Sequence, residues 1–258
     1  MADWNPALYR RFEDERTRPA RDLLARVPAV DARLVVDLGC GPGNSTELLV
    51  ERFPQARVVG VDNSPAMLES ARKRLPGIGF EPADVSSWQP QHAPDVIYAN
   101  ATLQWVPAHR QLIPRLFSLL APGGVLAVQM PDNRQEPTHR AMREVAARQP
   151  WAAAIADPDA VRTELLAIGG YYDLLANEAA HVDVWHTIYQ HPLASPAAIV
   201  EWVSGTGLRP FVEPLSAELR AGYLAAYEQC IARDYPVRAD GKLLLAFPRL
   251  FFVAQRKA

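Results

Sequence analysis

The chain has 258 residues, a formal charge of −2 and only two cysteines, so it is long enough to bury a large core without disulfides. Its cations are scattered rather than gathered into a run, which argues against a nucleic-acid-binding face, and no apolar stretch approaches the ~18 residues of a membrane span. The polar start, Met1-Ala2-Asp3-Trp4-Asn5-Pro6, does not read as a signal peptide, and free thiols at Cys40 and Cys230 suit a reducing compartment, so a cytoplasmic protein is expected.

From Pro6 to about Val27 the apolar positions Leu8, Phe12, Leu23, Leu24 and Val27 recur at helical spacing. Pro19 is expected to split this stretch into two helices, because an interior proline lacks the amide that continues the ladder. Residues 34–38 read as a buried strand, followed by a helix from about 45 to Phe53. A second strand, Arg57-Val58-Val59-Gly60-Val61, leads to a helix over about 65–75, announced by Ser64 at the cap and Pro65 in the first turn. A short strand at about 79–82, a fourth at 95–99, a helix at about 108–120 and a fifth strand at 125–130 continue the alternation. Strands alternating with helices build a parallel sheet.

After the fifth strand the alternation stops. Residues 131–168 read as helices and loops rich in Arg and Pro, and Gly169-Gly170 as the lead-in to a helix from Tyr171 to about Ala179. Val182 to Tyr189 alternates like a strand, about 195–235 is helical again, and the last strand lies within Leu243 to Ala254. Its regular part is expected only after Pro248, which cannot donate to a ladder. The reading is one α/β domain over 1–258, with five βα units, two final strands and helical insertions at 131–168 and 190–242.

The first strand ends in Asp37 and breaks into Gly39, Gly41 and Gly43 before the helix start Ser45-Thr46. Strand, glycine turn and helix N-terminus make a site for a nucleotide-like ligand at the carboxyl edge of such a sheet. The dinucleotide spacing G-x-G-x-x-G/A fails here, because its sixth position is Asn44 counted from Gly39 and Thr46 counted from Gly41. Asp62 closes the second strand nineteen residues after Gly43, where an acid can accept both hydroxyls of a ribose. Asp84 follows the third strand; as a residue type it also suits a plain turn. His181, His186 and His191 recur every five residues on the expected sixth strand, which sends 186 to the opposite face from the other two, so no metal site is expected.

What stands at the turn is D-x-G-x-G-x-G, which resembles the first motif of the class I S-adenosylmethionine-dependent methyltransferases. The resemblance implies a Rossmann-like sheet of seven strands with helices on both faces, its last two strands an antiparallel hairpin. It implies S-adenosylmethionine as cofactor and S-adenosylhomocysteine as product. Asp37 then lies near the cofactor's ammonium, Gly39, Gly41 and Gly43 pack against its amino-acid end and ribose, and Asp62 with Asn63 meets the ribose. Asp84 receives the adenine amino group, the amide of Val85 reaches the ring, and Asn100 sits beside the transferable methyl. Tyr9 and Arg18 belong to N-terminal helices, residues 1–30, that close over the cofactor.

Asn-Pro-Pro-Tyr, the signature of amino-group methyltransferases, is absent; Asn100-Ala101-Thr102-Leu103-Gln104-Trp105 resembles the small-molecule and acyl-carboxylate branch. Closer likeness within that branch is carried by Asp3 to Ala20, Val125 to Asn133, Thr206-Gly207-Leu208-Arg209-Pro210 and Leu244 to Phe251. It implies a monomeric enzyme that esterifies one carboxylate of trans-aconitate, a small tricarboxylate, with no nucleic-acid or membrane partner. Gln104 and Trp105 are the expected lining of the acceptor pocket. Arg209 and Arg249 are the expected carboxylate anchors, with Tyr171, Trp202 and His139 beside them and both insertions forming a substrate cap. A carboxylate is already ionised at pH 7, so no catalytic base is needed. Carboxyl methyltransferases of malonyl-thioesters and quinone C-methyltransferases share the motifs through Trp105 but should lack Thr206–Pro210 and Ala246–Arg249. A binding module of the same fold would keep Asp37, Asp62 and the glycines without catalysis.

Overall fold

The structure is a computed structural model that describes residues 13–155, 157, 164–205 and 207–258, with backbone alone for 13–16. The elements in chain order are α1 (Glu13–Leu24), β1 (Leu34–Leu38), α2 (Asn44–Arg52), β2 (Arg57–Asp62), α3 (Pro65–Arg74), β3 (Gly79–Pro82) and β4 (Val96–Asn100). There follow α4 (His109–Ser118), β5 (Val125–Pro131), α5 (Pro137–Ala146), α6 (Ile168–Leu175), β6 (Ala179–Leu193), α7 (Pro196–Ser204), α8 (Arg209–Val212), α9 (Ala217–Asp234) and β7 (Leu243–Arg256).

All seven strands join one sheet in the order β3-β2-β1-β4-β5-β7-β6. The first five are parallel, with Leu34 opposite Arg57, Val35 opposite Val96 and Val96 opposite Val125. Buried on both faces, these strands are rich in Val, Ile and Leu, as a parallel sheet requires. Strand β7 runs the other way. The Arg256 amide bonds the Gly124 carbonyl and the Asp132 amide the Pro248 carbonyl, so β7 is antiparallel to β5. Parallel pairing brings the carboxyl ends of β1 to β5 to one edge of the sheet, where such folds bind ligands.

The chain divides into two compact units. The first comprises residues up to Pro131, Glu164–His186 and Leu250–Ala258; the second comprises Asp132–Thr163 and Thr187–Arg249. The two expected insertions therefore make up most of the second unit. The core of the first unit holds Val36, Leu38, Val61, Ile97, Leu126 and Val128 from the strands, with Ile113 and Leu116 from α4 against them. In the second unit Tyr223 of α9 donates to the Met142 carbonyl of α5 at 2.8 Å, and its ring packs edge-on against Trp151.

Four local expectations need correction. Helix α1 runs unbroken through Pro19, because Ala20, Leu23 and Leu24 are buried and hold the helix despite the missing amide. Gly169 and Gly170 lie inside α6, whose Tyr171 and Leu175 are buried, rather than ahead of it. Strand β7 continues through Pro248, whose carbonyl still accepts from Asp132 although its nitrogen cannot donate. No helix follows β3 among the described residues; the chain returns to β4 through a loop that buries Val85 and Trp88, so the third βα unit lacks its helix.

Candidate active site

Asp37 sits on β1 with its side chain fully out of solvent. Its Oδ2 accepts from Ser45 Oγ at 2.7 Å and from Thr46 Oγ1 at 2.6 Å, both in the first turn of α2, while Oδ1 has no partner among the described residues. Burial pushes the carboxyl up to about 6, and the two hydroxyl bonds pull against it without cancelling it. Ser45 and Thr46 were readable only as a helix start; their second task follows from α2 turning back beside the strand.

The glycine turn is fastened from the neighbouring strand. The amides of Gly39 and Cys40 both donate to the Val61 carbonyl, at 2.7 and 2.9 Å. Asp62 Oδ2 accepts from the Gly41 amide at 2.9 Å and its Oδ1 from the Ser64 amide at 2.8 Å, so one carboxylate joins the turn to the start of α3. The glycines differ in what faces them. A Cβ on Gly39 would stand 2.2 Å from the side chain of Thr102, which donates to the Gly39 carbonyl at 3.0 Å. A Cβ on Gly41 would meet nothing within 4 Å among the described residues. Only Gly41 therefore opens to space a ligand could take; Gly39 is filled by the protein, and Gly43 faces Ala71 at 3.5 Å. Cys40 packs with Leu68, Ala71 and Phe80, and burial pushes its thiol up, so it is an inert small core residue.

Asp84 is exposed and turns on itself, its Oδ1 accepting from the Ser86 amide and hydroxyl, which hold the carboxyl below its usual range. Asn63 is exposed one residue after Asp62, and Val85 is buried. Arg115 of α4 donates to the Val85 carbonyl at 2.7 Å and the Trp88 carbonyl at 2.8 Å, clamping the loop that carries Asp84. Asn100 ends β4 with a buried Oδ1 that has no partner among the described residues. Ala101 follows in the left-handed region at φ 54, and Gln104, buried, donates to its carbonyl at 2.6 Å while its own Oε1 has no partner among the described residues. Trp105 is half-buried in the 3₁₀ turn Leu103–Trp105. Arg18 is exposed on α1, and Tyr9 lies outside the described residues.

The remaining expected residues fall elsewhere. Tyr171 is fully buried in the core of the first unit, stacked on Phe252 at 5.2 Å between ring centroids. In the second unit Arg249 is buried with its guanidinium 4.9 Å over the Phe247 ring. Trp202 packs against His191 at 4.4 Å and Phe247 at 6.3 Å. His191, one of the three histidines set aside as metal ligands, is thus buried between the rings of Trp202 and Phe247, and only the packing of α7 could have revealed it. His139 is buried against Gly207, where a Cβ would stand 2.8 Å from its Nε2. Arg209 is half-buried and holds Glu213 Oε1 through Nε and Nη2, at 2.9 and 2.7 Å. Among the described residues no three His, Cys, Asp or Glu side chains come together as a metal group, and no helix is long and apolar enough to cross a membrane.

The edge of the first unit fits a small polar ligand with a positive group. Among the described residues Gly41 leaves room over the backbone, and Oδ1 of Asp37 and Oδ1 of Asn100 are buried without a donor. The sheet order together with the acid-and-glycine turn defines a class I S-adenosylmethionine-dependent methyltransferase. The profile of a methyltransferase domain matches residues 35–124, and the YcgJ protein of Bacillus subtilis shares the fold, with a TM-score of 0.57 over 93% of this chain and 99% of that one at 14% identity. The trans-aconitate 2-methyltransferases of Variovorax paradoxus (strain S110) and Paracidovorax citrulli (strain AAC00-1) are 71% and 70% identical to it, each over 100% of both chains. The chain belongs to the trans-aconitate 2-methyltransferase family.

Proposed function

We propose that this protein transfers a methyl group to one carboxylate of trans-aconitate and releases the monomethyl ester. Membership of the family across the entire chain, inserted segments included, carries this reading. When bound, S-adenosylmethionine supplies an electrophilic methyl on a sulfonium. The residues that would hold it are Asp37 toward the ammonium, Gly41 under the amino-acid end, Asp62 and Asn63 at the ribose, and Asp84 with the Val85 amide at the adenine. Tyr9 and Arg18 are assigned to the same cofactor, and Asn100 to the side facing the methyl.

The acceptor arrives as an anion, since carboxylates of pKa near ~4 are ionised at pH 7, so no catalytic base is needed for it. Its work is to aim a carboxylate oxygen and exclude water, and positioning of this kind can supply ~7–11 kcal/mol. Gln104 and Trp105 are assigned to the reacting end of the acceptor. Arg249, Arg209, Trp202 and His139 are assigned to the other carboxylates. Of these Arg249 has the strongest support, because a buried guanidinium on an aromatic face is dry enough to attract an anion strongly. A cytoplasmic monomer without nucleic-acid partners completes the reading, in keeping with a formal charge of −2 and dispersed cations.

The test is a transfer assay with a labelled methyl donor against trans-aconitate, cis-aconitate, isocitrate and a malonyl-thioester. Label in a monomethyl ester of trans-aconitate is the expected result. Label in the thioester alone, or in none of the four, would overturn the acceptor assignment.

A further inference from the structure

The segment from Asn100 to Ala108 carries two alanines in the left-handed region, Ala101 at φ 54 and Ala108 at φ 61. An alanine there is strained by roughly 1–2 kcal/mol, and such backbone persists only where its surroundings over-determine it. Toward its start the segment is pinned by the Ala101 amide on the Gln129 carbonyl at 2.9 Å and by Thr102 on Gly39. Toward its end it is pinned by His109, whose Nε2 lies 2.9 Å from the Leu103 carbonyl.

A carbonyl only accepts, so Nε2 carries the proton and Nδ1 of the neutral ring is the acceptor. Tyr171 Oη stands 2.6 Å from Nδ1 and so donates to it, and the same oxygen accepts from the Leu166 amide at 3.3 Å. The chain of bonds has one polarity throughout: Leu166 N–H to Tyr171, Tyr171 O–H to His109, His109 N–H to Leu103. Burial holds the imidazole below its ordinary range, which keeps Nδ1 available as an acceptor. Tyr171 is fully buried and His109 nearly so, and the Tyr171 ring is locked against Phe252.

We infer that His109, oriented by Tyr171, is a positioning residue for methyl transfer. It fixes the 3₁₀ turn that presents Gln104 and Trp105 beside Asn100. The inference rests on the proposed acceptor role of that turn. His109 touches no reacting atom; its effect passes through the Leu103 carbonyl.

Three variants of the full chain test it. His109→Phe removes both ring nitrogens, His109→Gln keeps a carboxamide N–H for the Leu103 carbonyl, and Tyr171→Phe removes the hydroxyl while leaving the stack on Phe252. Each is measured for kcat and acceptor KM with trans-aconitate, for S-adenosylmethionine Kd by calorimetry and for Tm. His109→Phe is expected to lower kcat by on the order of tenfold to a hundredfold, the scale of a small misplacement, with the donor Kd within about twofold of the parent. His109→Gln should recover most of that loss, and Tyr171→Phe should fall between. Unchanged kcat in Tyr171→Phe and His109→Phe would overturn the inference, as would donor Kd worsening in step with kcat, or His109→Gln being no better than His109→Phe. Should His109→Phe not fold, Tyr171→Phe decides: an unchanged kcat refutes, a lowered kcat at unchanged donor Kd supports.

A readout without acceptor separates this inference from the substrate assignment. In fluorotryptophan-labelled protein the Trp105 fluorine signal, assigned through Trp105→Phe, should broaden or split in Tyr171→Phe whether or not trans-aconitate is the acceptor. A signal as sharp as the parent's would refute the positioning role even with the substrate confirmed. A parent inactive on trans-aconitate whose Trp105 signal responds to Tyr171→Phe would refute the substrate and support the brace.

Discussion

Thr46 Oγ1 donates to Asp37 Oδ2 at 2.6 Å, so the first turn of α2 and the end of β1 share one buried carboxylate. The shared bond offsets part of the cost of burying that charge, and the carboxyl still rises to about 6. A carboxyl whose folded pKa is raised binds its proton more tightly when folded, so stability falls as pH rises from about 4 to about 6. By linkage the charged side chain costs roughly 3 kcal/mol at pH 7. Asp37→Asn should therefore raise the stability of the ligand-free protein at pH 7, by about 1–3 kcal/mol in denaturant unfolding, and flatten that pH slope. The same variant should weaken S-adenosylmethionine binding by at least on the order of tenfold in calorimetry, because the ammonium loses its counter-charge. Gain of stability with no loss of affinity would remove Asp37 from the cofactor.

Affinity for the donor should itself depend on pH in the parent. Only the ionised Asp37 attracts an ammonium, so Kd should tighten as pH rises through about 6 and level off above. A flat profile between pH 5 and pH 7.5, or one that persists in Asp37→Asn, would contradict this.

Gly39 and Gly41 predict opposite phenotypes from the same substitution. Gly39→Ala drives a methyl to 2.2 Å from Thr102 at φ 77 and should cost on the order of 2–4 kcal/mol of stability. Gly41→Ala meets nothing within 4 Å among the described residues and carries only the left-handed penalty of about 1–2 kcal/mol, yet its methyl enters the space assigned to the cofactor. Thermal unfolding should rank Gly39→Ala as the less stable; donor Kd should be weakened in Gly41→Ala beyond what its Tm predicts.

Arg115 holds two carbonyls of the loop around Asp84 with one guanidinium. Lysine cannot make that two-pronged contact. Arg115→Lys should raise the donor KM by roughly threefold to tenfold, the scale of one lost charge-assisted bond, and leave the acceptor KM unchanged. A matching rise in both KM values would mean that the loop does not serve the cofactor selectively.

The second unit supplies the acceptor test. Arg249→Met should raise the trans-aconitate KM by at least about tenfold at unchanged donor Kd, as loss of one buried charged anchor implies. Arg209 is bound to Glu213 in the free protein, so Arg209→Ala should act on the acceptor KM more weakly. Unchanged acceptor kinetics in either variant would remove that residue from the anchor set.

The boundaries of β1 to β5, the glycine turn, the acids toward the ends of β1 and β2 and after β3, and the Ser64 cap were legible in the residues, because each depends on a period or a neighbour within a few positions. Helix α1 through Pro19, β7 through Pro248 and the glycines inside α6 were not, since there the burial of flanking side chains outweighs a local preference. The site divides in the same way. Residue order alone determined that an acid and three glycines meet at one strand end and, through the family resemblance they carry, the cofactor class. It did not determine that Thr102, sixty-three residues away, fills Gly39 and leaves Gly41 as the open one. Nor did it determine that Tyr171, sixty-two residues from His109, turns into the core to orient it. Those pairings exist only once the sheet brings distant segments within hydrogen-bond reach. Packing and bonding act over a few ångströms of space, whatever the separation along the chain.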